Sequence, residues 1–149
     1  MTVSYDVFTE AFLNKMTEYR LPRLEESVRQ AIVDGYMKRA CSQFAEVCRY
    51  DINDGDDETR TFTFDGMTKG EMIEIVDIVS EGMVLQWMKP YMFMQKNLET
   101  LLVTSDHSFH SQAELMNRVK IVYEMCERAF IRRMRDYTYR HGDLTDLHL

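Results

Sequence analysis

The sequence predicts a mainly α protein: a helical bundle of about four helices with a short β-strand or hairpin and an extended C-terminal tail. Three observations carry this expectation. Only two prolines and six glycines interrupt 149 residues, so long elements meet few breakers. Apolar residues recur at helical spacing through most of the chain, whereas period-two alternation is confined to one short stretch. Hydrophobic residues make up 45% and charged residues 29%, a balance that builds a packed core rather than a disordered chain. The length suits one domain, placed at residues 1–141 with 142–149 as the tail, and allows burial of about two thirds of the unfolded surface.

The first element follows from Tyr5, Phe8, Phe12 (with Leu13) and Met16, whose spacing predicts a short amphipathic helix over residues 4–17. Pro22 suits a first helical turn. From there Leu24, Val28, Ile32, Tyr36, Ala40, Phe44 and Cys48 step mostly by four. They predict one long helix of about six turns, with Gly35 tolerated inside it. Glu25 and Glu26 lie in its first turn, where carboxylates complement the helix dipole. Cys41 and Cys48 share a face of that helix about 10 Å apart along the axis, too far for a disulfide, and are expected to be core thiols.

Asp51-Ile52-Asn53-Asp54-Gly55-Asp56-Asp57-Glu58 is a loop by composition. Behind it Thr59-Arg60-Thr61-Phe62-Thr63-Phe64 alternates with period two and predicts a short strand, with Arg49–Ile52 across the loop as its candidate partner. Two strands alone are marginal, so they must lean on the helices or on a neighbouring subunit.

Thr68-Lys69-Gly70-Glu71 is a capping box that opens the next helix. Its polar stripe is narrow: Glu71, Glu74, Asp77 and Glu81. From Gly82 to Met94 the sequence is apolar almost all round apart from Gln86 and Lys89, which predicts a helix buried centrally or packed between subunits. Trp87 is expected in the core. The apolar run is too interrupted to span a membrane, and Pro90 predicts a kink or break near Lys89. Leu98, Leu101 and Leu102 continue the apolar face, and residues 104–110 form a turn-rich connector. Ser111-Gln112-Ala113-Glu114 is a second capping box. Leu115, Val119, Val122, Cys126 and Ala129 then mark the inner face of a last helix running to about Tyr137. Tyr123, Phe130, Met134 and Tyr137 form a second stripe, so that one face can serve the core and the other a neighbour.

The net charge of −7 argues against broad, nonspecific nucleic-acid binding. The charge is nonetheless uneven, with four aspartates and one glutamate in residues 51–58 and Arg128, Arg132, Arg133, Arg135 and Arg140 near the C-terminus. That division suits either solvated faces or head-to-tail contact between like subunits. Three cysteines, and an opening without a basic or apolar leader segment, lead us to expect a reducing intracellular setting.

Candidate chemistry is sparse. Asp51 and Asn53 match the first and third positions of a calcium loop, but Gly55 falls one place early and Phe62 stands where a bidentate carboxylate is needed. His107 and His110 form an H-x-x-H pair without the glutamate of a zincin, and local capping or packing of Phe109 is the plainer use. His141 and His148 fall in the tail. No nucleophile elbow or phosphate loop occurs, and Glu71 with Glu74 reads as an ordinary solvated helix face. We therefore expect no catalytic, cofactor-binding or metal site, and no enzyme. Twelve methionines, six of them between Met67 and Met94, suit either the core alone or the core and an adaptable subunit interface.

Three stretches, in order, resemble small virion proteins of tailed bacteriophages of Gram-positive hosts. The first is Met72-Ile73-Glu74-Ile75-Val76 running into Glu81-Gly82-Met83-Val84-Leu85-Gln86-Trp87-Met88-Lys89-Pro90. The second is Ser105-Asp106-His107-Ser108-Phe109-His110-Ser111-Gln112-Ala113-Glu114-Leu115. The third is Arg133-Met134-Arg135-Asp136-Tyr137-Thr138-Tyr139-Arg140-His141-Gly142-Asp143-Leu144. Together they cover roughly residues 70–145, about half the chain. The proteins they resemble are head–tail connector components, small helical adaptor or neck subunits that form a ring between portal and tail.

The resemblance implies a structural virion protein assembled in the host cytoplasm. Its partners would be copies of itself in a ring, portal and tail-completion proteins, and nonspecifically the DNA that passes through the channel, with no membrane. Interface candidates are Arg132, Arg133, Arg135 and Arg140 together with Leu144, Leu147 and Leu149 of the tail. Asp143 and Asp146 can pair with arginines on a neighbour, and Gly142 can supply the positive φ of a chain reversal. The alternative is a small helical regulatory or DNA-binding module.

Overall fold

A computed structural model of the protein describes residues 1–21, 26–93 and 112–142. These form a mainly helical domain with a two-stranded antiparallel sheet, as the sequence predicts. In chain order the elements are β1 (Thr2–Ser4), α1 (Tyr5–Glu18), α2 (Glu26–Phe44), β2 (Thr61–Thr63), α3 (Lys69–Phe93) and α4 (Gln112–His141).

The chain enters α1 through Ser4, whose hydroxyl accepts from the Asp6 N–H at 3.2 Å and caps the helix. Tyr5, Phe8, Phe12 and Met16 are buried, as their spacing requires. β1 pairs with β2 in the register Thr2–Thr63, Val3–Phe62, Ser4–Thr61. Arg49–Ile52 is therefore not the partner strand. The reason is side-chain direction: Val3 and Phe62 both point inward, and the Phe62 ring meets Tyr5 and Phe8 at centroid distances of 4.8 and 5.4 Å. Pairing with β1 buries that aromatic cluster under α1, and residues 49–52 form no strand.

α2 ends at Phe44 rather than near Cys48, and a turn follows in which the Cys48 N–H still bonds to the Phe44 carbonyl at 3.0 Å. Leu24 lies outside the described residues. Val33, Met37, Ala40, Cys41 and Phe44 form the buried face of α2. All three cysteines are free: Cys41 and Cys126 are buried, and Cys48 is half-buried.

α3 is the centre of the domain and packs against α1, α2 and α4. The Thr68 capping box forms as read. Its hydroxyl accepts from the Glu71 N–H, and Glu71 accepts from the Thr68 N–H, each at 3.2 Å. Residues 78–88 are buried without interruption, including Trp87 at 1% exposure. Gly82 sits where three helices meet. A Cβ there would lie 2.8 Å from Ala40 Cβ and 2.9 Å from the Phe130 ring, so only glycine permits this approach. The break expected near Lys89 does not occur: α3 continues through Pro90 to Phe93. Met67, Met83 and Met88 fill the core around it.

α4 extends four residues beyond Tyr137, to His141, so His141 is helical rather than part of the tail. Its two expected stripes are one. Cys126, Phe130 and Tyr137 are buried, and Val119, Val122, Tyr123 and Met134 pack partly buried beside them. Positions 119, 122, 123, 126, 130, 134 and 137 span a single wide helical face, so both sets turn inward together. Among the described residues no helix is long and apolar enough to cross a membrane.

Candidate functional site

The polar stripe of α3 is not a solvated face. Each of its four carboxylates is engaged by another element. Glu71 accepts from Arg49 and from the Tyr50 hydroxyl, and Glu74 pairs with Arg140 and lies 2.9 Å from His141 Nε2. Asp77 pairs with Lys15 at 2.7 Å and with Arg133. Glu81, with a side chain 3% exposed, lies 2.9 Å from Lys15 Nζ and 3.8 Å from Arg133 Nε, and accepts from the Tyr19 hydroxyl at 3.3 Å. Lys15 itself is 8% exposed. The stripe is thus an ionic seam on which Lys15 of α1 and Arg133 of α4 converge, tying both helices to α3.

This seam accounts for part of the arginine cluster. Arg133 and Arg140 are bound to α3 within the domain. Arg132 and Arg135 are exposed and join no ion pair among the described residues. Leu144, Leu147 and Leu149 lie outside the described residues, as do His107, His110, His148 and the capping box at Ser111. Gly142 is required for a different reason from the one expected. It has no positive φ, but a Cβ on it would stand 2.5 Å from the Thr138 carbonyl oxygen, with which its own N–H bonds at 2.7 Å.

Opposite the buried face, α4 carries a seam that the sequence reading missed. Ile121, Met125, Arg128, Arg132, Arg135 and Tyr139 are spaced 4, 3, 4, 3 and 4 and are all exposed. Ile121, Met125 and Tyr139 are 53%, 51% and 61% exposed, and Ile131 at 45% flanks them. The spacing was there to be found. The arginines in the stripe masked it, because the eye follows apolar runs.

The acidic loop is ordered by its own side chains. Asp56 Oδ1 accepts from the Glu58 N–H at 2.9 Å, and Asp51 Oδ1 from the Asn53 N–H at 3.2 Å. Asp56 and Thr61 form an isolated bridge, and Asp57 pairs with Lys38 at 2.8 Å while accepting from the Tyr5 hydroxyl at 3.0 Å. Those last two bonds hold the Asp57 carboxyl below its ordinary value. Arg60, at φ 52°, closes the loop with a two-point bond to Asp34 and a contact of 2.7 Å to Asp6. Asp51, Asp54, Asp56 and Glu58 remain exposed and outside any ion pair among the described residues.

Two surface concavities lie among the described residues. One, of about 330 Å³, lies between α2, α3 and α4 over Leu85, Tyr123, Phe130 and Met134. The other, of about 210 Å³, is lined by Tyr5, Lys38, Cys41, Asp57 and Phe62. Burial pushes the Cys41 thiol up to about 12 and the Cys126 thiol up to about 11, so neither supplies a thiolate at neutral pH. No group of three or more His, Cys, Asp or Glu side chains suited to a metal ion occurs among the described residues.

Comparison with known proteins brings no relative to bear on these surfaces: no protein-family model, curated protein or solved structure matches the chain.

Proposed function

We propose that this protein is a non-enzymatic structural subunit of a tailed-bacteriophage virion, a head–tail connector that forms a ring and joins portal to tail. The observation that carries the reading is the outer face of α4. Four large apolar side chains are exposed along one helix and interleaved with three arginines that join no ion pair among the described residues. A face of that kind serves as a contact surface rather than a solvated one.

The sequence resemblance supports the same reading where it falls on described residues. Its first stretch lies in α3, the element that organises the domain, and most of its third forms the end of α4. In this reading α3 and its ionic seam make a rigid wedge. The outer face of α4 and the tail then make the contacts with further copies, with the portal and with tail-completion proteins. Arg132 and Arg135 are placed to meet an acidic partner surface or the DNA passing through the channel. The work is assembly, carried out in the host cytoplasm and retained in the virion.

The test is the mass of the purified protein in solution, alone and with candidate portal protein, followed by imaging of any large species. The expected result is a closed multimer, or one that forms on the portal. A strict monomer in both conditions that binds a duplex DNA site specifically would instead favour a small helical DNA-binding module.

A further inference from the structure

The seam along α4 runs from Ile121 to Tyr139, 19 residues, or about 27 Å at the helical rise. Its chemistry restricts what can cover it. If two copies paired α4 against α4 in parallel, each arginine would face its counterpart. In an antiparallel pair centred on residue 130, Arg128 would face Arg132. Like charges in a contact cost several kcal/mol, so the seam does not suit itself. Nucleic acid would use the arginines but gain little from Ile121, Met125, Ile131 and Tyr139, and the net charge of −7 opposes it. An acidic protein surface with apolar neighbours satisfies both halves of the seam.

An exposed acidic surface exists on the same chain. Asp51, Asp54, Asp56 and Glu58 project from the loop with no cation of their own among the described residues. The loop is already shaped by its side-chain turns, the Asp56–Thr61 bridge and Arg60, so docking costs little ordering. Val47, four residues before it, is 37% exposed. The loop is tied to α1 and α2 while the seam belongs to α4, so one copy presents both surfaces at once. A heterologous contact that closes into a ring requires that arrangement.

We propose that the α4 seam of one copy docks on the acidic loop, residues 51–58, of the next, a contact that rests on reading the chain as a self-assembling subunit. Arg128, Arg132 and Arg135 meet the carboxylates, and Ile121, Met125 and Tyr139 flank that contact along the same face of α4.

The experiment is charge reversal on each side, followed by sedimentation across a concentration range. The variants are R128E/R132E/R135E and D54K/E58K. All five positions are exposed, and circular dichroism checks that each variant folds. Each variant alone should self-associate about 100-fold more weakly than the parent. An equimolar mixture should recover association, because the reversed seam of one then meets the reversed loop of the other. If the helix variant does not fold, D54K/E58K still reads the contact from the loop side. A parent protein that multimerises and is unaffected by either reversal overturns the seam–loop contact and leaves the connector reading standing. A parent that stays monomeric alone and with portal protein sinks both. Duplex DNA bound through the three arginines by a monomer likewise overturns the proposal.

Discussion

Trp87 concentrates what single residues contribute here. It is 1% exposed, its ring lies 5.0 Å from that of Tyr91, and its Nε1 has no acceptor among the described residues. Its role is therefore volume rather than hydrogen bonding. Trp87→Ala should cost about 3–5 kcal/mol, because a large cavity opens in the middle of α3. Trp87→Phe should cost clearly less, since it keeps much of the volume and removes a buried donor that was never satisfied. Denaturant melts of both variants check the ranking, and the parent should emit as a buried indole. A water-exposed emission maximum in the folded protein would count against the placement.

At the scale of elements, the α3 carboxylates decide how α1 and α4 sit. Lys15 and Glu81 form a nearly buried pair, with side chains 10% and 3% exposed. Lys15→Met takes from Glu81 its nearest cation, leaving the Tyr19 hydroxyl and Arg133 at 3.8 Å, and should destabilise by up to about 3–5 kcal/mol, while Lys15→Met combined with Glu81→Leu should regain most of that loss. Chemical denaturation of the single and double variants reads the difference. A double variant no more stable than the single one would mean that the pair is not the source of the cost.

Glu71 reports the same seam through pH. The Tyr50 hydroxyl, and after it the Thr68 N–H, Arg49 and His141, hold its carboxyl below the ordinary value of 4.5, against a smaller opposing effect of burial. A depressed carboxyl stabilises the folded state above its unfolded value, and that contribution is lost as pH falls through the folded value. Glu71→Gln should therefore lower Tm at neutral pH, and the gap from the parent should close below about pH 4.5. A gap that persists unchanged into acid would assign the loss to packing. The four acids of this stripe were legible in sequence, but their partners were not, because Lys15, Arg133 and Arg140 lie 52 to 66 residues from the acids they meet.

For the molecule as a whole, the described residues close one core around α3. Removing residues 142–149 should leave helical content and thermal midpoint nearly unchanged, because the core of the described residues ends at Tyr137. The same deletion should weaken ring formation or attachment to virus particles if Leu144, Leu147 and Leu149 dock on a neighbour. A truncated protein that assembles fully and yields infectious particles would remove the tail from the mechanism.

The sequence by itself determined the elements whose cause is local. The Thr68–Glu71 capping box, the 3.6-residue spacing of Tyr5 to Met16, the largely apolar run through Trp87 and the turn-forming acids of the loop each act within a few residues of themselves. Tertiary structure decided every matter of partnership. It paired β2 with the N-terminal β1 because Val3 and Phe62 bury together. It also carried α3 through Pro90 to Phe93, a residue that by local rules breaks a helix. Most of all it turned both stripes of α4 inward and matched Arg133 and Arg140 to the α3 acids, leaving the Ile121–Tyr139 seam outside. Periodicity gives the angle between two side chains on one helix, but which face is covered is set by the shape and charge of what lies across from it, and that is fixed only when distant segments meet.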